Sequence, residues 1–188
     1  MTDDARIRLA VVVASTRPQR VAPRVAAWFT DHAHAHDDVE VSTIDLCDYP
    51  LPADLSPSEA GERLRRRVAE SDAFVVVTSE YNHGYPASLK TAFDTVKHEW
   101  RSKPVGFVSY GGMAGGARAT EQLRQVAVEL HMLPVQQTVV LARIRRAFDE
   151  AGRLHDDVAD DHARDLLAQL HWWAGAVRLR TERSSYPG

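Results

Sequence analysis

The segment that most constrains the fold is Phe74 to Val96, FVVVTSEYNHGYPASLKTAFDTV. It opens on Phe74-Val75-Val76-Val77, a short β-branched apolar run of the kind buried on both faces of a parallel sheet. It then breaks into the polar and aromatic loop Ser79-Glu80-Tyr81-Asn82-His83-Gly84-Tyr85. Pro86 is the expected first helical residue, with Leu89, Ala92, Phe93 and Val96 recurring behind it at helical spacing. Ligands of a doubly wound sheet bind outside the carboxyl ends of its strands, so Ser79 to Tyr85 is the leading site.

The rest of the chain repeats this alternation. Ile7–Ala14 reads as a first buried strand, and Val25, Trp28 and Phe29 mark the apolar side of the helix that follows. Val39–Ile44 is a second strand and Ser58–Glu70 a second helix with Leu64 and Val68 inward. Val105–Ser109 and Pro134–Leu141 supply the fourth and fifth strands, separated by a helix carrying Leu123, Val126 and Leu130. Val158–Leu179 is the last helix, striped by Leu166, Leu167, Leu170, Trp173 and Val177, with Trp172 and Trp173 read as packing groups. Arg143–Asp157 is charged and without clear period, so it reads as an excursion. Five strands alternating with helices give an α/β, three-layer architecture. Right-handed crossovers and one switch point favour a flavodoxin-like parallel sheet of order 2-1-3-4-5. A single domain over 1–180 is expected, with 181–188 a frayed tail.

Two further loops fall at the same strand ends. Ser15-Thr16-Arg17-Pro18-Gln19-Arg20-Val21-Ala22 puts hydroxyls, guanidinium groups and backbone N–H groups between a strand and a helix, which suits a phosphate. It equally suits an ordinary strand-to-helix turn with solvated arginines. Neither GxGxxG nor GxxxxGK[ST] follows the first strand, which argues against a Rossmann dinucleotide domain and a P-loop NTPase. The second loop, Tyr110 to Ala117, holds four glycines in eight residues, either a close approach to a flat ligand or a flexible turn.

Composition excludes more than it selects. The formal charge of -3 gives no bias toward nucleic acid, and Arg63, Arg65, Arg66 and Arg67 share a helix with Glu62 and Glu70 as a solvated face. Cys47 is the lone cysteine, which rules out an intrachain disulfide and a thiolate zinc cage and fits a reducing, cytoplasmic compartment. His32, His34 and His36 lie in DHAHAHDD, read as a solvated connector rather than a metal site. The start MTDDARIRLAVVVAS has acids where a signal peptide carries bases, and its apolar run is too short for a bilayer. No membrane, metal or nucleic-acid partner is expected.

Taken together, the three loops resemble the NADPH-dependent FMN reductase family, which includes quinone, azo and chromate reductases. The family's first loop approximates GSTRPGR, and this chain has Ala14-Ser15-Thr16-Arg17-Pro18-Gln19-Arg20. Its second approximates PEYNxxxPGxLKNAxD, matched by Ser79 through Asp94, and its glycine-rich third is matched by Ser109 to Gly116. Ala14 stands in place of the family's glycine and Ser79 in place of its usual proline, which adds a hydroxyl.

The resemblance implies an oxidoreductase with bound FMN and NADPH or NADH as co-substrate, reducing free FMN, quinones or related small acceptors in ping-pong turnover. By it, Ser15, Thr16, Arg17 and Arg20, with backbone near Val21 and Ala22, hold the FMN phosphate. Ser79, Glu80, Tyr81, Asn82 and His83 border the ring, as do Ser109, Tyr110 and Gly111. Asn82, the chain's only asparagine, is either a ring contact or a plain turn former, and Glu80 has a place in the site but no protonic role. His83 and Tyr85 are candidate quinone contacts, His83 alternatively a subunit contact. No side chain is obligatory for the chemistry, which the flavin carries. Helix Pro86–Glu99 is implied at a homodimer interface, with a tetramer the larger option and Trp100 and His98 candidates for a roof over the site. The competing reading is a flavodoxin-like electron carrier without pyridine-nucleotide turnover.

Overall fold

In the computed structural model, which describes residues 6–150, 153–154 and 156–188, five strands form one parallel sheet of order β2-β1-β3-β4-β5. The strands are β1 (Ile7–Val13), β2 (Val39–Asp45), β3 (Ala73–Ser79), β4 (Pro104–Tyr110) and β5 (Leu133–Leu141). The helices are α1 (Ala22–His34), α2 (Glu59–Glu70), α3 (Ala87–Thr95), α4 (Ala117–Glu129) and α5 (Asp157–Thr181). This is the flavodoxin-like order expected from the strand-helix alternation.

The period-2 alternation of each strand decides the layers. Leu9, Val11 and Val13 of β1 and Val75 and Val77 of β3 pack with Val25 and Phe29 of α1 and Leu166 and Leu170 of α5. Their neighbours Ala10, Val12, Phe74 and Val76 face Leu64 and Val68 of α2, Leu89 and Phe93 of α3, and Leu123 of α4. Burial of each such side chain is worth roughly 1.5–3 kcal/mol. Gly106 lets α5 lie close on β4, because a Cβ there would stand 2.5 Å from Leu166 Cδ1. The ladder pairs Val13 with Val77, Ser79 with Tyr110, and Tyr110 with Leu141. The ends of β1, β3, β4 and β5 therefore share one rim, and so do the loops that follow them.

Several local expectations change. Helix α3 starts at Ala87 with Pro86 as its cap (φ -61, ψ 140) and stops at Thr95, because Val96 turns extended (φ -115, ψ 113). Trp100 is no roof: it is a core residue, edge-on to Phe74 at 4.6 Å and Phe93 at 5.2 Å. His32 and His34 belong to α1, not to a connector, and one Asp160 carboxylate oxygen serves both His32 Nε2 (2.9 Å) and Trp28 Nε1 (3.0 Å). Trp172 and Trp173 stay 65% and 40% exposed, so the buried stripe of α5 runs through Leu166, Leu167, Leu170 and Ala174 instead.

The basic face of α2 is solvated but paired: Arg63 with Glu59 at 3.6 Å, Arg67 with Glu70 at 3.7 Å, and Arg65 with Glu62 and Glu99. The excursion after β5 contains a 3-10 turn, Ile144–Arg146, and an antiparallel bridge between Phe148 and Leu154. Residues 151–152 and 155 of it, like the acidic start at 1–5, lie outside the described residues. In the terminal segment, the Tyr186 hydroxyl lies 3.0 Å from His131 Nδ1. Among the described residues no helix is long and apolar enough to cross a membrane.

Candidate active site

Four loops at the common rim enclose a cleft of about 540 Å³. The β1–α1 loop contributes Ser15 and Arg17 to Val21, the β3–α3 loop Ser79, Glu80 and Tyr81, the β4–α4 loop Tyr110, Gly111 and Gly112, and the turn after β5 Arg143 to Arg146.

These loops are tied to one another. The Ser15 and Tyr81 hydroxyls are 2.6 Å apart, and Ser88 Oγ donates to the Ala14 carbonyl at 2.6 Å. Arg143 and Ile144 N–H donate to the Gly112 and Gly111 carbonyls at 2.7 and 3.0 Å, so the turn after β5 is fastened to the glycine loop. That loop closes on α4 at Gly116 (φ +90), where a Cβ would meet Ser109 Cβ at 2.8 Å, so only glycine fits. On the other side, Tyr81 and Gly84 exchange backbone hydrogen bonds of 2.8 and 3.1 Å around Asn82 (φ 51) and His83 (φ 69). Positive φ at both central residues matches a tight primed hairpin turn, which asparagine tolerates well.

Charge is distributed unevenly around the cleft. Arg20 is already engaged: its guanidinium holds both Asp45 oxygens at 2.6 Å and also the Ser15 carbonyl. Hydrogen bonding to Asp45 raises its pKa above the ordinary arginine value, and its cation is neutralised. Arg17 lies over the Tyr81 ring at 5.3 Å with no acid partner among the described residues. Glu80, with its side chain only 8% exposed, pairs through Oε1 with Arg118 of α4. Its Oε2 and the hydroxyl of Ser79, itself 6% exposed, are buried without a hydrogen-bond partner among the described residues. Burial also pushes the Tyr110 phenol up, which keeps it a donor across the neutral range. Helix α1 has no side-chain cap at Val21; Pro23 lacks an N–H and the Arg24 N–H donates to the Val21 carbonyl at 2.9 Å, so of the first turn the Ala22 N–H is left for an anion.

A flat ligand with a phosphate tail fits this arrangement: orphaned polar atoms at the end of β3, an unpaired cation and an uncapped helix start at the end of β1. Among the described residues no group of three or more His, Cys, Asp or Glu could hold a metal.

Of the residues singled out in the sequence, Ser15, Arg17, Arg20, Val21, Ser79, Glu80, Tyr81, Tyr110 and Gly111 line the cleft. The others lie elsewhere. Thr16 faces a smaller hollow beside Cys47 and Ser88, and Ala22 is buried in the first turn of α1. Ser109 is fully buried, its hydroxyl donating to the Val139 carbonyl at 3.4 Å. Asn82 and His83 form the exposed hairpin tip, where the His83 ring meets Arg118 at 2.8 Å and its carbonyl accepts from Gln122 at 3.0 Å. Tyr85 packs against the core on the α3 side. The turn Arg143 to Arg146 was missed, although three arginines in four residues just past a strand end were a visible signal.

A doubly wound 2-1-3-4-5 sheet with a phosphate-ready cleft at its switch point defines a flavodoxin-like, nucleotide-binding class of protein. Residues 7–145 match the family model described as NADPH-dependent FMN reductase, and the chain belongs to that family. It is 34% identical, over 72% of its length and 74% of the relative's, to an NAD(P)H-dependent FMN reductase of Schizosaccharomyces pombe. With a quinone reductase of Pseudomonas putida it shares 32% identity over 79% of this chain and 84% of that one. The solved structure of the flavoenzyme NAD(P)H:acceptor oxidoreductase FerB from Paracoccus denitrificans superposes with a TM-score of 0.75 at 21% identity, covering 90% of this chain and 98% of that one, a likeness of fold. The chain is thus an oxidoreductase with FMN as cofactor and NAD(P)H as co-substrate, and the electron-carrier alternative is not favoured.

Proposed function

We propose that this chain passes reducing equivalents from NAD(P)H to a small-molecule acceptor, free FMN or a quinone, with donor and acceptor taking turns in one cleft. Bound FMN supplies the hydride-accepting and electron-donating chemistry. The protein's part is to hold and orient. Arg17, Ser15 and the Ala22 N–H at the start of α1 secure the phosphate, and Arg20, locked on Asp45, fixes the loop that presents them. Ser79, Glu80 and Tyr81 on one side and Tyr110 and Gly111 on the other border the ring. The observation that carries this reading is the pair of buried, unpartnered atoms, Ser79 Oγ and Glu80 Oε2, at the cleft. Such groups carry a desolvation penalty of roughly 1–3 kcal/mol each unless a ligand satisfies them.

One domain over 1–180 forms this FMN-binding unit, with 181–188 outside it. The protein works in the cytoplasm as a homodimer with α3 at the contact, or as a tetramer; the family resemblance supports the assembly and the free thiol of Cys47 the compartment. Light scattering that returns a monomer mass removes the assembly. The activity is tested by anaerobic spectroscopy: the flavin band bleaches on adding NADPH or NADH and returns on adding a quinone. Protein that stays colourless after incubation with excess FMN ends the proposal.

A further inference from the structure

Resting on the reading of the cleft as the FMN site, we propose that the turn Arg143–Arg146 is a second phosphate-monoester subsite. It reads the phosphate of the substrate that exchanges at the cleft, first of all the 2′-phosphate of NADPH. The cleft has more open positive charge than one FMN phosphate needs. Arg20 is neutralised by Asp45, and Arg17 with the start of α1 already faces the first phosphate. Arg143, Arg145 and Arg146 remain, on a different wall, and none of them makes an ion pair or a side-chain hydrogen bond among the described residues. Glu80, the acid in the cleft lining, is already held by Arg118.

The turn is built to present these groups. Arg143 takes a left-handed conformation (φ 51, ψ 39), unusual for a side chain with a Cβ and persisting only where the surroundings hold it. Here the hold is its N–H on the Gly112 carbonyl and the neighbouring Ile144, only 7% exposed, with its N–H on the Gly111 carbonyl. With Ile144 anchored inward, Arg145 and Arg146 are exposed beside the cleft. Guanidinium forks match phosphate oxygens in geometry and charge. NADPH differs from NADH by one phosphate monoester, so this turn distinguishes the two. Free FMN, as acceptor, presents the same chemistry through its 5′-phosphate.

The test uses FMN-loaded protein and the double variant Arg145→Ala/Arg146→Ala, both at the surface. By calorimetry the parent protein binds 2′,5′-ADP about ten- to hundredfold more tightly than 5′-AMP, and the variant loses that difference. The ratio of kcat/KM for NADPH over NADH falls by a similar factor. If the ADP difference persists while turnover of free FMN over riboflavin collapses, the subsite stands and serves the acceptor. If neither ratio moves, or if the affinity for resident FMN falls in step with them, the turn is no separate subsite and the proposal is overturned. Parent protein that binds no FMN at all overturns the reading of the cleft itself, a result distinct from these.

Discussion

At the amino ends of the strands, charge is closed on itself, whereas at the carboxyl ends it is left open. Arg8 holds Asp72 through its side chain (2.7 and 3.0 Å) and its backbone N–H (3.0 Å), Arg178 adds a contact at 3.3 Å, and Lys103 caps α2 through the Val68 and Ala69 carbonyls. At the other rim, Arg17, Arg143, Arg145 and Arg146 line the cleft without an acid partner among the described residues, and two buried oxygens have none of any kind. The same residue type is thus tied into the fold at one end and left open at the other. Substitutions at the closed end should act on stability, and those at the open end on ligand affinity.

The largest effect expected is from Asp72→Ala, which removes the acid that Arg8 holds and one of the contacts of Arg178. Hydrogen bonds to charged groups are worth roughly 1.5–3 kcal/mol, and a loss of about 3 kcal/mol in urea unfolding is expected, with FMN affinity retained. Burial pushes the Asp72 carboxyl up, but the Arg8 hydrogen bonds, with Arg178, outweigh it and hold its pKa below the ordinary range. A depressed carboxylate stabilises above its unfolded value of roughly 4 and loses that contribution as pH falls through the folded value, so the parent and variant should converge in acid. If the variant unfolds normally but loses FMN, the contrast between the rims is wrong.

Next in size, Arg17→Ala should weaken FMN binding about ten- to hundredfold in a fluorescence titration while the unfolding midpoint barely moves. Arg20→Ala sharpens the contrast, because Arg20 is an open-rim residue that is closed by Asp45. It should lower stability by about 1 kcal/mol and weaken FMN only about threefold to tenfold, through loop disorder. Lys103 gives a smaller, pH-dependent signal. Burial pushes its amine from 10.5 down to about 8, so between those values the unfolded chain holds a proton that the folded one has released. Stability therefore gains with pH across that window, and Lys103→Met should lack the gain. Least of all, His83→Ala should change quinone turnover by less than about threefold, since its ring sits on Arg118 outside the cleft.

Local pattern made the sheet order and three of the four loops legible, because strand burial and helix periodicity are written within short windows. What escaped depends on pairing between distant segments. The arginines after Leu141 look like a charged excursion until the Tyr110–Leu141 ladder sets them beside Gly111. Arg20 reads as a phosphate donor until the Val13–Asp45 pairing brings an acid to it. Glu80 reads as a site residue, but its Arg118 partner is delivered only by the packing of α4. Ser109 follows the loop motif in sequence, yet strand alternation turns its hydroxyl to Val139.

The fastening of the post-β5 turn to the glycine loop has a consequence for biosynthesis. Ser15 leaves the ribosome early and Arg146 late, so a nascent chain cannot complete the fourth wall until its last strand has docked. A ligand that touches the fourth wall then favours, by mass action, molecules whose last strand has docked.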